Sequence, residues 1–465
     1  MQKKRIFTNF GTGILSEIVN KVFPLLIISI ATNRLGVEGF GTAQFVIYLF
    51  EVTVPFIVWG YGSFASIEVG KLNLTDSRIG TYVKSIALLR LFHSVLIFAG
   101  LVVLVTFVDH YRPYQTIVLT ISFVYLTSAL DASYILLATH RLSLFNTINM
   151  VAKALSLGGV FWLVQSPADV HTYVLITVLS NAFVALAILA SVIKHIKGVK
   201  IDLSQVKSVF RKSLPFSSMI IVVAIWEKMD VFIVEYFLDL TSVGQFAGVL
   251  RLFSSISPIL GLVVSVFYSE MLREKDQQKF YALTRFCFWG VSTVVWPTIF
   301  GSFFVGEGLI DLILGSQFTA VAHLFPILVV SLFASMFILV CGNVIMISGQ
   351  VSLLNKIFIG GVCLSLCLSL VGINIWGLPG VALAYTTGKL TTAALIVTCY
   401  LKLKNPFPTQ EILRPMAAGL MMALVLVIAQ QSNLFINLAI GAAAYGLFFL
   451  VFNFSLIQAR RKKSS

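Results

Sequence analysis

The chain has 465 residues, of which 58% are hydrophobic and only 11% are charged, and its mean hydropathy is +0.96. Soluble domains carry roughly 25% charged residues, and a single hydrophobic core cannot absorb so many apolar side chains. The composition therefore excludes a soluble enzyme, a disordered regulator and a fibrous protein, and it indicates a polytopic membrane protein.

The charge balance is basic, with 33 Lys and Arg against 19 Asp and Glu, which gives a net charge of +14. The cations fall in short segments between long apolar runs, so they indicate membrane topology rather than a nucleic-acid partner. The five cysteines lie inside apolar runs without a Cys-x-x-Cys pair, which predicts neither disulfides nor a zinc site. We expect no cofactor, no metal and no nucleic acid.

Apolar runs long enough for membrane helices recur along the whole chain. A helical span needs about 20 mostly apolar residues, and these runs lack the alternation of barrel strands. We therefore predict an all-α polytopic protein with 14 transmembrane helices. The predicted spans are 10–32, 42–63, 84–108, 116–138, 144–164, 172–193, 214–237, 244–267, 283–304, 322–347, 357–375, 380–400, 414–431 and 434–456.

The orientation of the spans follows from where Lys and Arg fall, because cytoplasmic segments carry the excess of these residues. With the N-terminus inside, 25 of the 33 cations lie in cytoplasmic segments, two lie outside and six lie within spans. The sequence therefore predicts a multi-pass protein with both termini in the cytoplasm.

The two halves of the chain match each other in sequence. At an offset of 203 residues Gly41 falls on Gly244, and at an offset of 209 residues Asn146 falls on Asn355. Six spans is an even number, so both copies have the same topology and form parallel repeats. The predicted domains are an N-terminal six-helix bundle over 1–193, a basic cytoplasmic linker over 194–213, a C-terminal six-helix bundle over 214–402, and two additional helices with a basic tail over 403–465.

Ionisable residues inside the spans are the candidate functional residues, because a charge at membrane depth is costly unless it is paired or hydrated. The candidate substrate-binding cations are Lys21, Lys153, Lys228, Arg251, Lys389 and Arg90. The candidate coupling or paired carboxylates are Glu17, Glu51, Asp131, Glu227 and Asp230. The alternative is that these residues form structural ion pairs, and two of the arginines lie near span ends, where they can reach the interface.

The first predicted helix of each half carries a dense polar stripe. We expect each stripe to hold a lysine beside a carboxylate of its own helix, Glu17 for Lys21 and Glu227 or Glu235 for Lys228. Two such helices facing each other would line a central cavity. Prolines within the spans favour kinked helices, which suits bundles that open and close.

Four short segments resemble a known family: RLGVEGFG (34–41), KMD (228–230), LGSQF (314–318) and GLPGVALA (377–384). In this order and spacing they resemble the Wzx-type polysaccharide flippases. These flippases share a superfamily with the multidrug-and-toxin extruders and the lipid II flippase. The resemblance implies two six-helix bundles around a central cavity in the bacterial cytoplasmic (inner) membrane, and a transporter rather than an enzyme.

The resemblance also implies a substrate, a polyprenyl-diphosphate-linked oligosaccharide such as an O-antigen repeat unit, flipped from the cytoplasmic to the outer leaflet. The implied partners are membrane lipids, polysaccharide assembly proteins and an H+ or Na+ counter-ion. Moving negative charge outward across an inside-negative membrane is favourable by about 2.3 kcal/mol per charge per 100 mV. Transport therefore needs no ATP, and the chain carries no P-loop motif.

Two other functions stay open. A cation-coupled multidrug or toxin exporter shares the fold, although the mixed charges fit less well than the anionic, aromatic cavity expected for cationic drugs. A membrane-embedded enzyme acting on lipid-linked sugars is the second alternative. Such enzymes carry a long extramembrane loop with clustered acids or histidines, whereas no predicted connection here reaches 30 residues.

Overall fold

The computed structural model describes residues 2–72, 78–139, 141–193, 201–429 and 433–464, and their side chains except in 2–21 and 454–464. Helix makes up 91% of the structure, and the described ranges contain no strand. The all-α fold predicted from composition and hydropathy is confirmed. Helices are expected inside a membrane, because a helix satisfies its backbone polar groups within its own segment.

The chain forms two compact units. The first comprises Met1–Glu235 with Asp239–Gly244, and the second comprises Tyr236–Leu238 with Gln245–Ser465. The sequence repeat places its boundary earlier, at 194–213, and this division into repeats stays a prediction.

The helices of the first unit are bounded as follows: α1 (Gln2–Val58), α2 (Tyr61–Val69), α3 (Arg78–Phe107), α4 (Gln115–Ser122), α5 (Val124–Ala129), α6 (Ser133–Ala138), α7 (Leu142–Leu163), α8 (Val170–Val192) and α9 (Leu203–Phe237). The helices that follow are α10 (Leu240–Met271), α11 (Gln277–Leu314), α12 (Leu324–Ile347), α13 (Val351–Trp376), α14 (Leu378–Lys402), α15 (Thr409–Ala429) and α16 (Leu434–Ser464). The core of the first unit lies between α2, α3, α6 and α8, around Tyr61, Ile86 and Ile188.

The helices have the length and surface of membrane spans. Within the described residues, 11 helices are long and apolar enough to cross a membrane, or 12 if the bent pair Asp109–Ser122 and Val124–Ala138 is one span. Large apolar side chains such as Phe107 and Ile428 are 76% and 80% exposed, which suits lipid and not water. The protein is therefore a multi-pass membrane protein, and the count of 14 spans stays a prediction.

Two regions explain why that count is lower than predicted. α1 covers the first two predicted spans, and it consists of two helices that meet at Gly36, whose φ of 70° and ψ of 176° are not helical. α9 does not belong to the apolar set, and four charged residues lie between positions 227 and 235 of this helix. The second of these regions holds the polar stripe that the sequence predicted around Lys228.

An arginine of the first family segment, two residues before the kink in α1, binds the end of α7. The Arg34 guanidinium donates to the carbonyl oxygens of Phe161 and Val164, the latter at 2.7 Å, and lies 5.1 Å from the Phe161 ring centroid. These carbonyls belong to the end of α7, where a helix leaves its last carbonyl groups without partners. Arg34 therefore caps α7, which is a structural role.

The two C-terminal helices are held on α11 by polar contacts spaced one helical turn apart. Arg285 Nε donates to Glu411 Oε1 at 2.8 Å, and Trp289 Nε1 donates to Asn453 Oδ1 at 2.8 Å. One turn further along α11, Tyr445 Oη donates to the carbonyl oxygen of Thr293 at 2.9 Å. Such bonds are favourable in a membrane, where an unpaired polar group has no water to bind.

The predicted orientation can be tested with reporter fusions. Fusions after Ser465 and within 194–212 are expected to report a cytoplasmic position, because the basic segments stay inside. Fusions near Asp169 and Asp239 are expected to report the outer side. An outer signal after Ser465 would contradict the even number of spans.

Candidate substrate cavity

The first unit contains a cavity of about 600 Å³ between α1, α5, α7, α8 and α9. Its wall is apolar in large part, as expected for a small-molecule site with a few convergent polar groups. The charged and polar residues that line it are Glu51, Ser128, Asp131, Ser133, Asn149, Asn181, Glu227 and Lys228.

A lysine–glutamate pair joins two helices at the cavity wall. Lys228 Nζ of α9 lies 2.9 Å from Glu51 Oε2 of α1, with side-chain exposures of 17% and 30%. The same ammonium group lies 5.0 Å from the ring centroid of Tyr48, within the range of a cation–π contact. The sequence predicted a partner on α9 itself, whereas the structure pairs Lys228 with a residue 177 positions earlier in the chain.

Asp131 is held at the cavity wall by neighbours on both sides. Its carboxylate accepts hydrogen bonds from the Ser133 amide at 3.0 Å and from the Ser133 hydroxyl at 2.9 Å, which caps the start of α6. Arg90 Nη1 lies 3.7 Å from Asp131 Oδ2 and donates to the Asp131 carbonyl oxygen at 2.6 Å. Arg90 is 1% exposed and is not among the lining residues, so it lies behind Asp131.

The remaining predicted residues of the first unit occupy different positions. Glu227 lines the cavity and is exposed, whereas Asp230, one turn further along α9, is buried and does not line it. Lys153 is half-buried on α7 and is also absent from the lining. Glu17 and Lys21 lie outside the residues whose side chains the structure describes.

Two predicted cations lie in the second unit. Lys389 Nζ of α14 lies 4.5 Å from the Tyr385 ring centroid and 5.4 Å from that of Phe253. Arg251 is half-buried on α10. The assignment of all these residues to substrate binding stays a prediction. Among the described residues, no group of three or more His, Cys, Asp or Glu could hold a metal ion.

The sequence around this cavity matches a known protein family. The family described as polysaccharide biosynthesis protein matches residues 6–269, which is more than half of the chain. The protein belongs to the polysaccharide biosynthesis protein family. A search of curated protein sequences finds no match.

Solved structures show that this family member has the fold of the superfamily predicted from its sequence. It is similar to the lipid II flippase MurJ in an inward closed conformation, with a TM-score of 0.76 at 14% identity over 97% of this chain and 100% of that chain. It is also similar to an inward-facing MATE family multidrug resistance transporter of the MOP superfamily, with a TM-score of 0.62 at 14% identity over 83% and 95% of the two chains. A eukaryotic MATE transporter matches with a TM-score of 0.55 at 14% identity over 90% and 99%. The fold that the resemblance implies is confirmed, and the Wzx-type branch stays a prediction.

Charge alone did not reveal the neutral polar part of this family member's cavity. Asn149 on α7 and Asn181 on α8 interrupt apolar runs at mid-span, and that interruption was a signal available in the sequence. Asn149 Nδ2 donates to the Phe145 carbonyl oxygen at 2.8 Å. Ser128 and Ser133 carried no comparable signal, because serine is common in membrane helices.

Two glycines predicted to be equivalent approach each other within the first unit. A methyl group added at Gly41 would overlap the Leu240 carbonyl oxygen, and one added at Gly244 would overlap the Val37 carbonyl oxygen. Val37 and Leu240 are separated by the same 203 residues as the two glycines. The crossing of α1 and α10 is thus symmetric in sequence, and it requires residues without a Cβ.

Proposed function

We propose that the protein flips a polyprenyl-diphosphate-linked oligosaccharide repeat unit from the cytoplasmic to the outer leaflet of the bacterial inner membrane by alternating access. Membership of the polysaccharide biosynthesis protein family supports the substrate class. The MurJ-like and MATE-like fold supports transport rather than an enzymatic reaction.

The observation that carries the proposal is a lysine held at the wall of a membrane-embedded cavity. Lys228 is mostly buried and forms an ion pair with Glu51, and it lines the cavity, so its ammonium group is positioned but reachable from the cavity. A buried ion pair is often no more stable than apolar packing, so a structural role alone gives little reason for its presence. A diphosphate offers oxygens that form charge-assisted hydrogen bonds with an ammonium group. Glu51 then holds the lysine in place until the diphosphate enters.

The driving force in this proposal is the membrane potential, alone or with a cation gradient. A diphosphate carries about two negative charges, so a potential of 100 mV favours outward movement by about 4.6 kcal/mol. The carboxylates of the cavity provide groups that could bind a counter-ion during the return step. Polysaccharide assembly proteins are the proposed partners on the outer side.

Deleting the gene in its source bacterium tests the function directly. We expect surface glycan to be lost and the lipid-linked repeat unit to accumulate in the inner leaflet, where a membrane-impermeant glycan-modifying enzyme reaches it only in inverted vesicles. Restoring the full-length chain should reverse both effects. Unchanged surface glycan without accumulation of the lipid-linked unit would overturn the proposal.

A cation-coupled exporter is the second candidate, and the charge of the cavity favours it. Three carboxylates, those of Glu51, Asp131 and Glu227, line the cavity of the first unit beside one lysine. Such a wall suits cationic compounds and the exchange of protons or Na+. Cells that express the protein would then export a fluorescent cationic dye against its gradient, with glycan export unchanged by the deletion. The flippase proposal predicts the opposite pair of results.

A further inference from the structure

A buried glutamate outside the cavity binds two donors at one end of α9. Glu235, two residues before the end of this helix, has a side chain that is 4% exposed. Its Oε1 accepts from the Tyr114 hydroxyl at 2.9 Å, and its Oε2 lies 3.0 Å from His110 Nε2. Both donors belong to the 3-10 helix Asp109–Tyr114 between α3 and α4. Neither the cavity nor the proposed binding step uses these three residues.

Aromatic packing makes this contact a defined joint and not a loose surface pair. The ring of Phe45 from α1 lies 4.5 Å from Tyr114, 6.0 Å from Tyr111 and 5.5 Å from Phe232 of α9, measured between centroids. Phe45 is 1% exposed. Three segments therefore meet around one ring, and the carboxylate of Glu235 is bonded at their edge. A buried carboxylate that loses its hydrogen bonds loses stability, so we expect the bonds of Glu235 to form and break together.

His110 lies between the buried carboxylate and the surface of the protein. Its side chain is 40% exposed, whereas that of Glu235 is 4% exposed. Histidine is the side chain that changes charge near physiological pH. A neutral imidazole donates one ordinary hydrogen bond to the carboxylate, but a protonated imidazole donates a charge-assisted one, which is about twice as strong.

Other charged and titratable groups lie on every element of this joint. On α9 they are the buried Asp230 and the exposed Tyr236, and on α1 those nearest to Phe45 in sequence are the exposed Glu38 and the buried Tyr48. On the same 3-10 helix, Arg112 Nη2 and Asp109 Oδ1 form an exposed pair at 3.2 Å, and the Tyr111 ring lies 4.9 Å from the His110 ring between centroids. The adjoining helix α4 has no titratable residue, and the titratable residues of α3 end at His93, more than three turns from Phe107. Glu235 is the carboxylate that His110 contacts, at 3.0 Å from its Nε2.

We propose that His110, Tyr114 and Glu235 form a proton-sensitive latch at the outer end of α9, closed in this structure and tightened by protonation of His110. The inference rests on the proposed alternating access and on the predicted topology, which places Asp109–Tyr114 on the outer side. Opening of the outer side separates the end of α9 from the 3-10 helix. Acidification outside the cell therefore favours the closed latch and slows the outward-opening step.

Hydrogen exchange measured by mass spectrometry tests the latch in the purified full-length protein, without substrate or transport. Amides of this turn are bonded within it, such as Tyr111 N–H to the Val108 carbonyl oxygen at 3.0 Å, so their exchange reports its opening. The amide exchange rate of the peptide 105–116 is measured in the wild type and in His110→Gln at the same pH. The ratio of the two rates cancels the intrinsic pH dependence of exchange. Glutamine keeps a neutral donor and cannot be protonated.

We expect wild type and His110→Gln to exchange within about twofold of each other at pH 8. At pH 6 the wild type is expected to exchange about fivefold more slowly, since a charged donor strengthens the bond by roughly 1 kcal/mol. The matched control is Asp109→Asn, on the same turn with a side chain 87% exposed, and it is expected to behave as the wild type. Glu235→Gln should lose the pH dependence.

The latch would be overturned if the ratio of the His110→Gln exchange rate to the wild-type rate were the same at pH 6 and pH 8. It would also be overturned if Asp109→Asn changed the exchange rate as much as His110→Gln does. If Glu235→Gln does not reach the membrane, the exposed His110→Gln variant still decides the question. A failure of the glycan-export experiment leaves this result untouched, because exchange is measured without substrate.

Discussion

Replacing Lys228 with alanine is expected to abolish glycan export while the protein remains in the membrane at a near-normal level. The ammonium group lies at the wall of the first unit's cavity, where its charge would replace part of the hydration of a diphosphate. Truncating one member of a buried charge pair in a binding site costs about 2–5 kcal/mol, which is at least roughly 30-fold in affinity. Export is measured as surface glycan per unit of membrane-inserted protein.

Two further variants separate binding from structure. Lys228→Arg is expected to keep part of the activity, because it retains the charge but not the geometry of the ammonium group. If the pair with Glu51 were structural, Lys228→Ala would be poorly expressed and Glu51→Gln would restore its level by removing the orphaned charge. The binding role predicts that Glu51→Gln does not restore export.

Lys207 provides the matched control, since it is an exposed lysine of the same helix α9 that does not line the cavity. Lys207→Ala is expected to keep full export. The same test applies to Lys21→Ala, whose predicted role equals that of Lys228. Full export by a well-expressed Lys21→Ala, Lys228→Ala double variant would contradict the cationic cavity.

The fold could be predicted because a membrane leaves few alternatives. Long apolar runs must be helical, and their positions follow from hydropathy alone. Breaks of a helix inside an apolar run were harder to predict. The span predicted over 116–138 is bent by 41° near Phe123, and it is interrupted again before α6, where the Asp131 carboxylate accepts from the Ser133 amide. An aspartate that bonds to the residue two positions on favours a turn, but in an apolar run it was interpreted only as a charge.

The charged wall of the cavity was largely predictable, and its pairing was not. Glu51, Asp131, Glu227 and Lys228 were all predicted from the cost of charge at membrane depth, and all four line the cavity. The contact of Lys228 with Glu51 joins helices far apart in sequence, and a single sequence carries no signal for such a contact. Glu235 was expected beside Lys228, yet its bonds to Tyr114 and His110 place it in a different cluster.

The second large effect is expected from substitutions at the crossing of α1 and α10. Gly244→Ala is expected to lower the free energy of unfolding of the purified protein by about 1–3 kcal/mol, the usual cost of overpacking, and to reduce export. The added methyl group would overlap the Val37 carbonyl oxygen, which is backbone and cannot turn away as a side chain would. The two backbones must move apart at this point instead. Gly41→Ala is expected to have the same effect through Leu240.

Because both glycines serve one crossing, their effects should not add. Once Gly41→Ala has separated the helices, Gly244→Ala finds space already open, so the double variant should be little worse than either single one. Gly261→Ala is the matched control, since it lies on α10 with no atom within 4 Å of the added methyl group. It should be neutral or slightly stabilising, as alanine favours helix over glycine by about 1 kcal/mol. Thermal unfolding of the four variants in one detergent provides the measurement. A Gly244→Ala protein as stable and active as Gly261→Ala would show that the close crossing is not needed.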